Sequence, residues 1–392
     1  MLVSSGFALL ATAVEVLLTA LTLSGLAYML IALWGARDFV HSLRRNRSTV
    51  EVSADVTILK PVKGMDDRMY AGFSSHCQQK YPGRFEILFG VTTLHDPAVA
   101  EVERLRVEFP EIDIRLVECP ERLGTSGKVS NLVQMLRHAK YEHVVINDSD
   151  IEVSPRYLAN VMRGFCSSEI GLVTAPYIGA AAQTTWSKLE ALGISTDFMA
   201  GVLTSKTLEG GIRYGLGSTL ATTKTALVAI GGFESLADCL ADDYELGHRI
   251  SLAGYGVELC GEIVKTSVPA YRFKGFWDHQ IRWARTVRDA RKWGYFGLGV
   301  TYCLPWAMMT VLASGFALWS FTLLSLVLLA RVTVALSVGV GVLRDGQVLR
   351  DLWLLPMRDC FGLFIWAWSF AGDTIVWRGE EFRLKNGRIA RI

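Results

Sequence analysis

The stretch HVVINDSDIEV at residues 143–153 is the part of the chain that most constrains its fold. The apolar run from Val144 to Ile146 indicates a strand that is buried on both faces. Asp148 and Asp150 follow this strand at once, and buried carboxylates need a partner such as a divalent cation with a phosphate ligand. In open α/β sheets, ligands bind outside the carboxyl ends of the strands. The stretch therefore predicts the edge of an active site that binds a metal ion and a diphosphate. The alternative is an Asp-rich turn that caps the next helix.

Strand and helix patterns alternate through the first part of the polar region. Strands are predicted at 55–59, 85–91, 112–117 and 144–146, with helices at 65–80, 98–109 and 127–139 between them. This alternation is typical of a parallel, doubly wound sheet. The loops at the carboxyl ends of the strands carry Lys60, Asp96 and the two acids Asp148 and Asp150. We expect these polar groups to converge on one edge of the sheet.

Two further stretches place polar side chains at the start of a helix. LGTSGKVSN at 123–131 puts Lys128 and Asn131 near a helix N-terminus, which favours an anion or is an ordinary N-cap loop. LADDY at 240–244 puts Asp242 and Asp243 in a first helical turn, where acids suit the helix dipole. A carboxylate held there can also take a proton from a hydroxyl as a general base. The small residues at 215–221 predict a close backbone approach.

The segment 271–292 is both basic and aromatic. Arginines recur every three residues, at Arg282, Arg285, Arg288 and Arg291, as in a helix that snorkels at a membrane surface. The cluster HQIRW at 279–283 offers a second interpretation, in which it turns inward towards a diphosphate.

The apolar residues of the chain are concentrated at its two ends. Residues 7–36 contain Glu15 as their only ionisable residue and exceed the roughly 20 residues needed to span a bilayer. Positive charges follow at Arg37, Arg44, Arg45 and Arg47, which predicts a cytoplasmic side. Residues 300–342 are long enough for two spans in a hairpin, and 360–376 for a span or a re-entrant segment.

Charge and cysteine usage narrow the class of protein further. The net charge is +2, so nothing indicates binding to nucleic acid. The seven cysteines show no CxxC pair and no metal spacing, which fits reduced thiols in the cytosol. The polar region between the apolar ends carries the acids, which disfavours a transporter. The few predicted spans disfavour a polysaccharide synthase with a polymer channel.

The ordered set of motifs resembles a known family. It consists of Asp96 in a DP loop, GKVSN, DSD, DDY, HQIRW and then apolar helices. This set is similar to the processive-type, inverting GT-A glycosyltransferases and, within them, to the ceramide glucosyltransferase branch. The stretches ILKPVKG, DPAVAEVERLR, DSDIEVSPRYL and GGFESLADCLADDYELG resemble more closely the bacterial hopanoid-biosynthesis glycosyltransferases. That family is held to transfer N-acetylglucosamine from UDP-GlcNAc to bacteriohopanetetrol.

The resemblance implies a role for each matching residue. The nucleotide-sugar-binding residues would be Lys60, Asp96, Lys128, Asn131 and Asp148, with Asp96 at the uracil or ribose. Asp150, with Asp148, would bind Mg²⁺ or Mn²⁺, and Asp243, with Asp242 beside it, would be the catalytic base. The diphosphate and acceptor residues would be His279, Gln280, Arg282 and Trp283. His279 departs from the family pattern, which has Gln or Arg at this position. Asp150 is an acid that ceramide glucosyltransferases often lack, and it favours a metal requirement here.

The resemblance also implies a fold and an organisation. We expect an α/β, Rossmann-like GT-A nucleotide-diphospho-sugar transferase domain at 55–270, with N- and C-terminal membrane helices. The other expected parts are an anchor at 1–36, a basic linker at 37–54, an interface segment at 271–298, a transmembrane hairpin at 299–343 and a third apolar segment with a basic tail at 344–392. The expected protein is a multi-pass enzyme of the bacterial inner membrane whose catalytic domain faces the cytoplasm. The expected reaction moves a sugar from a UDP-sugar to a lipid hydroxyl. A β-glucosyltransferase that uses UDP-glucose and ceramide is the alternative.

Overall fold

The structure is a computed structural model that describes residues 2–45, 52–66, 68–377, 380–385 and 388–391. The chain divides into two compact units. The sheet unit comprises Ser42–Ala180, Glu209–Pro269 and Arg378–Ile392, and the helical unit comprises Met1–His41, Ala181–Leu208 and Ala270–Trp377. Residues 181–208, which the sequence places in the catalytic domain, cluster with the apolar helices. Arg47 of the predicted basic linker and Arg378 of the predicted basic tail lie outside the described residues.

The helices are α1 (Leu2–Arg45), α2 (Met69–Cys77), α3 (Ala98–Glu108), α4 (Gly127–Leu136), α5 (Tyr157–Met162), α6 (Thr185–Gly193), α7 (Met199–Leu208), α8 (Lys224–Ala229), α9 (Asp242–Leu252), α10 (Phe273–Ala290), α11 (Lys292–Thr301), α12 (Cys303–Ala313), α13 (Leu318–Ala335), α14 (Gln347–Asp351) and α15 (Leu355–Ser369). The strands are β1 (Val56–Pro61), β2 (Phe85–Val91), β3 (Asp113–Glu118), β4 (His143–Ile146), β5 (Ile170–Thr174), β6 (Tyr177–Ala181), β7 (Leu220–Thr223), β8 (Gly256–Leu259), β9 (Val264–Val268), β10 (Thr374–Trp377), β11 (Glu380–Lys385) and β12 (Arg388–Arg391). Short π-helical segments lie at Ile194–Phe198 and Leu336–Val342.

The sheet unit is built on a seven-stranded sheet with the order β3-β2-β1-β4-β7-β5-β8. The first four strands in this order are parallel, as the alternating sequence pattern predicts. Strand β7 was not predicted, and it runs antiparallel to both β4 and β5, with Ile146 opposite Leu220. It makes the sheet mixed rather than wholly parallel. The mixed sheet also sets the Gly-rich residues before β7 against the end of β4.

The central strands are buried, and their apolar side chains form the core of the sheet unit. Ile58, Leu88 and Val145 are fully buried. One face of the sheet packs on α4, where Val129, Leu132 and Met135 belong to a single apolar cluster with the strands. Burial of this kind stabilises a fold by about 25 cal/mol per Å² of apolar surface. It also holds the carboxyl ends of the parallel strands at one rigid edge.

The helical unit contains two helices that are long and apolar enough to cross a membrane. Within the part of the chain that the structure describes, these are Leu9–Arg45 and Leu318–Val342. Helices α11 and α12 meet the same criteria only as a pair, which is bent by 54°. Helix α15 has 15 residues, fewer than the roughly 20 that a span requires, and β10 follows it.

Candidate active site

The carboxyl ends of β1 and β4 lie side by side and meet through Lys60. The ammonium of Lys60 donates to the backbone carbonyl of Asp148 at 3.1 Å and lies 5.9 Å from the centre of the Phe73 ring. Lys60 is fully buried, and this burial lowers the pKa of its amine to about 7. The buried side chain of Lys60 therefore contacts the backbone of the segment that carries Asp148 and Asp150.

Asn147, the residue that follows β4, is held in place by a network of hydrogen bonds. Its amide nitrogen donates to the Ser218 carbonyl at 2.8 Å and to the Tyr157 hydroxyl at 2.9 Å, and its amide oxygen lies 3.3 Å from His76 Nε2. Asn147, His76 and Tyr157 are buried, so these bonds are shielded from water. The network fixes the residue immediately before Asp148. Sequence reasoning missed it, because the signal in the sequence is one polar residue at the end of an apolar run.

Lys128, in the first turn of α4, joins two carboxylates that are far apart in the sequence. Its ammonium lies 2.8 Å from Asp148 Oδ1 and 3.3 Å from Asp242 Oδ2. Burial alone would lower the pKa of Lys128, but Asp148 and Asp242 together raise it above its ordinary value. The structure thus brings Lys128, Asp148 and Asp242 together around one partly buried positive charge, a grouping that was not predicted from the sequence.

Asp243 lies beside this cluster, in the first turn of α9. Burial and the neighbouring charge of Asp242 raise the pKa of its carboxyl to about 6, against the lowering influence of Lys128. A carboxyl with this pKa is ionised at neutral pH and is more basic than an ordinary aspartate, which suits general-base chemistry. The backbone N–H of Gly215 donates to the Asp243 carbonyl at 3.3 Å. The close approach predicted for the Gly-rich residues is confirmed.

Asp150 is held by β9 at the same edge of the sheet. Its Oδ2 accepts hydrogen bonds from the Thr266 hydroxyl at 2.6 Å and the Ser267 N–H at 3.0 Å. Burial, together with the charge of Asp148, raises its pKa. Nothing in the sequence pattern pointed to Thr266 or Ser267, because they are distant in the chain and lie in an ordinary short strand.

Asp148 and Asp150 fit a divalent cation by the chemistry of their donor atoms. Mg²⁺ and similar ions are commonly held by one or two carboxylates, with water and substrate phosphates as the other ligands. Among the residues that the structure describes, no three His, Cys, Asp or Glu side chains gather as a metal site. A cation here would therefore take its remaining ligands from the substrate or from water.

Asp96 and Asn131 are engaged with backbone groups of the sheet unit. The Asp96 carboxylate accepts N–H bonds from Gly64, at 3.0 and 3.1 Å, and from Ala98 at 2.9 Å. The Asn131 amide donates to the Gly90 carbonyl at 3.3 Å and is buried. Asp96 therefore joins the loop after β1 to the start of α3, and Asn131 joins α4 to β2.

The HQIRW residues lie in the helical unit, on α10. His279 Nδ1 lies 2.9 Å from Glu190 Oε2, and the His279 ring stacks on Tyr271 and contacts the Trp283 ring. Gln280 is buried and donates to the same Glu190 oxygen at 3.3 Å. Glu190 was not predicted from the sequence, because a single acid in an amphipathic helix carries no distinctive signal.

Two of the regularly spaced arginines of α10 bind backbone carbonyls at the end of α15 and in the chain that follows it. Arg288 donates to the Ser369 carbonyl and, at 2.8 Å, to the Gly372 carbonyl, while Arg285 donates to the Thr374 carbonyl. Carbonyls at a helix C-terminus lack intrahelical partners, and a cation there also complements the helix dipole. This contact accounts for Arg285 and Arg288 without a phosphate.

The fold described above is that of the GT-A glycosyltransferases. The solved structure of a mannosyltransferase, PcManGT of Pyrobaculum calidifontis, in complex with GDP-Man and Mn²⁺, shares the fold with a TM-score of 0.51. It is 20% identical in sequence, and the match covers 91% of this chain and 97% of that one. The chain belongs to Glycosyl transferase family 21, whose sequence model matches residues 17–390.

Curated relatives place the chain near the ceramide glucosyltransferases. Ceramide glucosyltransferase 3 of Caenorhabditis elegans is 24% identical over 231 residues, which are 59% of this chain and 50% of the relative. The ceramide glucosyltransferase of Komagataella phaffii is 32% identical over 132 residues, which are 32% of this chain and 26% of the relative. The chain thus spans half or less of the length of these two relatives.

Proposed function

We propose that the chain is a membrane-bound, inverting glycosyltransferase that moves a sugar from a UDP-sugar to the hydroxyl of a lipid. The observation that carries this proposal is the position of Lys128, whose ammonium lies 2.8 Å from Asp148 and 3.3 Å from Asp242. Lys128 thereby connects Asp148, which is proposed to bind the nucleotide sugar, with the first turn of α9, which carries the proposed base. Family membership and the two apolar helices support a transferase that acts at a membrane.

Asp243 is the proposed base. Its raised pKa, about 6, suits it to take the proton of an acceptor hydroxyl near neutral pH. The deprotonated oxygen then attacks the anomeric carbon in a single displacement, which inverts the configuration to a β-linkage. Asp242 is paired with Lys128, so its carboxylate is already engaged with a cation.

The donor side of the reaction requires positive charge for the departing UDP. Lys128 supplies a partly buried ammonium at this edge, and Asp148 and Asp150 are the residues that would hold Mg²⁺ or Mn²⁺. When bound, that cation supplies positive charge to the diphosphate, the kind of electrostatic stabilisation that lowers a barrier most. Lys60 and Asn147 are proposed to position the Asp148 backbone rather than to contact the nucleotide. Asp96 is proposed at the nucleoside, and Arg282 and Trp283 at the diphosphate and acceptor.

Two pairs of donor sugar and lipid acceptor are candidates for this reaction. The sequence motifs favour N-acetylglucosamine transferred to a hopanoid polyol, as in bacteriohopanetetrol, at the cytoplasmic face of a bacterial inner membrane. The curated relatives favour glucose transferred to ceramide. We place the hopanoid reaction first, because the stretches around the motifs resemble that branch more closely and because Asp150 is an acid that ceramide glucosyltransferases often lack.

Product analysis tests the proposal directly. The full chain, purified into lipid nanodiscs, is given UDP-GlcNAc or UDP-glucose, Mg²⁺ or Mn²⁺, and either a hopanoid polyol or ceramide. Mass spectrometry of the extracted lipids should show an N-acetylhexosaminyl hopanoid, which the D243N variant should fail to form. A hexosylceramide product would replace the hopanoid assignment with the ceramide one. A chain that neither binds UDP nor glycosylates any lipid would refute the proposed function.

A further inference from the structure

Glu190 is a buried carboxylate that the proposed chemistry leaves without a role. It lies on α6 and is 4% exposed. Its Oε2 lies 2.9 Å from His279 Nδ1 and accepts a hydrogen bond from Gln280 Nε2 at 3.3 Å. Two consecutive residues of the HQIRW motif are therefore held by one carboxylate oxygen on a different helix.

A second series of polar contacts, through Arg358, holds the same motif. Arg358 on α15 donates from Nη1 to Gln280 Oε1 at 3.0 Å and from Nε to Asp197 Oδ2 at 2.8 Å. Arg331 on α13 binds Asp197 and donates to Asp359 at 2.8 and 2.9 Å. The motif is thus joined to the apolar helices by an unbroken series of buried and partly buried hydrogen bonds.

These contacts fix the orientation of the His279 ring. Nδ1 is bonded to Glu190, while Tyr271 stacks on the ring at 5.6 Å and Trp283 contacts it at 5.4 Å between centroids. A carboxylate that accepts from one ring nitrogen sets the tautomer and presents the other nitrogen to a ligand. For His279 the nitrogen so presented is Nε2.

A carboxylate in this position is costly if it serves only to pack helices. Taking it out of water carries a large penalty, which a polar partner repays only in part, and an apolar side chain of similar volume would pack here without that cost. The arrangement is instead typical of a group that orients a ligand-binding side chain.

We propose that Glu190 is a positioning residue that orients His279 so that Nε2 is presented to an anionic ligand. This inference rests on the proposed function, in which HQIRW binds the diphosphate. It also accounts for a histidine at the place where the family pattern has Gln or Arg, because the imidazole has a carboxylate of its own to orient it.

A double-mutant cycle tests the proposal. E190Q, H279Q and the double variant are compared for the KM of the UDP-sugar, the KM of the lipid acceptor, kcat and thermal unfolding. E190Q should raise the donor KM by about tenfold with the acceptor KM unchanged, and adding H279Q should cost little more. Additive effects of the two substitutions, or a donor KM in E190Q equal to that of the wild type, would overturn the proposal.

D278N is the matched control. Asp278 is the acid immediately before His279, and its carboxylate pairs with Lys274, which is 88% exposed. Its removal should leave both KM values within twofold of those of the wild type, because it does not touch the imidazole. A donor-KM increase in D278N as large as that in E190Q would assign the effect to lost charge rather than to Glu190, and would refute the proposal.

A measurement on the wild type removes any dependence on the folding of the variants. Nitrogen-15 histidine spectra of the nanodisc-embedded chain, with His279 assigned by its loss in H279Q, should show a proton on Nδ1. A ring protonated on Nε2 alone would refute the inference even if the chain is an active transferase. If the wild type transfers no sugar and binds no UDP, the proposed function fails, whatever the spectrum shows.

Discussion

Gly217 leaves the space that the Asp243 carboxylate occupies. A Cβ atom added at Gly217 would lie 2.8 Å from Asp243 Oδ2 and 3.5 Å from its carboxyl carbon. The same loop also bonds to Asn147 through the Ser218 carbonyl at 2.8 Å. One small-residue loop therefore contacts both the proposed base and the residue that precedes the proposed metal ligands.

We expect G217A to lower transfer selectively. The methyl group must displace the Asp243 carboxylate, and a base moved from its reacting geometry loses much of its effect. kcat should fall by about tenfold or more, while the affinity for UDP, measured by titration calorimetry, should stay within twofold. G211A is the control, because a Cβ at Gly211 meets nothing within 4 Å. Equal activities of G217A and G211A would contradict this reading of the loop.

The two adjacent acids of α9 should differ in their effect on kcat. D243N should lower kcat by about 10²–10⁴-fold, the usual contribution of a positioned base, with UDP still bound. D242N should cost less, because Asp242 acts through Lys128, which keeps a second partner in Asp148 at 2.8 Å. Initial rates of UDP release with lipid acceptor present provide the measurement. A D243N enzyme with near-normal kcat would move the base to Asp242 or elsewhere.

The acid side of the pH–rate profile should report the base. Asp243 must be deprotonated to act, and burial and Asp242 raise its pKa to about 6, so kcat/KM should fall about tenfold per unit below pH 6. Removing the charge of Asp242 removes a cause of the raised pKa, so the acid limb of D242N should shift to lower pH. An acid limb that stays in place in D242N would show that another group controls it.

Much of the sheet could be read from the sequence, because its local patterns agree with the fold. The strand at 85–91 matches β2, and the parallel block β3-β2-β1-β4 follows from strands that alternate with helices. Strand β7 escaped prediction because its four residues, LATT, are too few to show a period. The hydrogen-bond partners of the site residues could not be predicted from the sequence for a different reason. Thr266 meets Asp150 and Glu190 meets His279 only through tertiary folding, which no local pattern encodes.

Breaking the buried ion network of the helical unit should strongly destabilise that unit, because it would leave a charge unpaired in the interior. Arg331, 5% exposed and within the candidate span Leu318–Val342, binds Asp359 at 2.8 and 2.9 Å and also binds Asp197. R331M would leave the buried Asp359 carboxylate without its cation, which typically costs about 3–5 kcal/mol. The unfolding temperature in nanodiscs should fall accordingly. R331M/D359N should recover part of that loss, because it removes the stranded charge, and a double variant less stable than R331M would show that the penalty is not electrostatic.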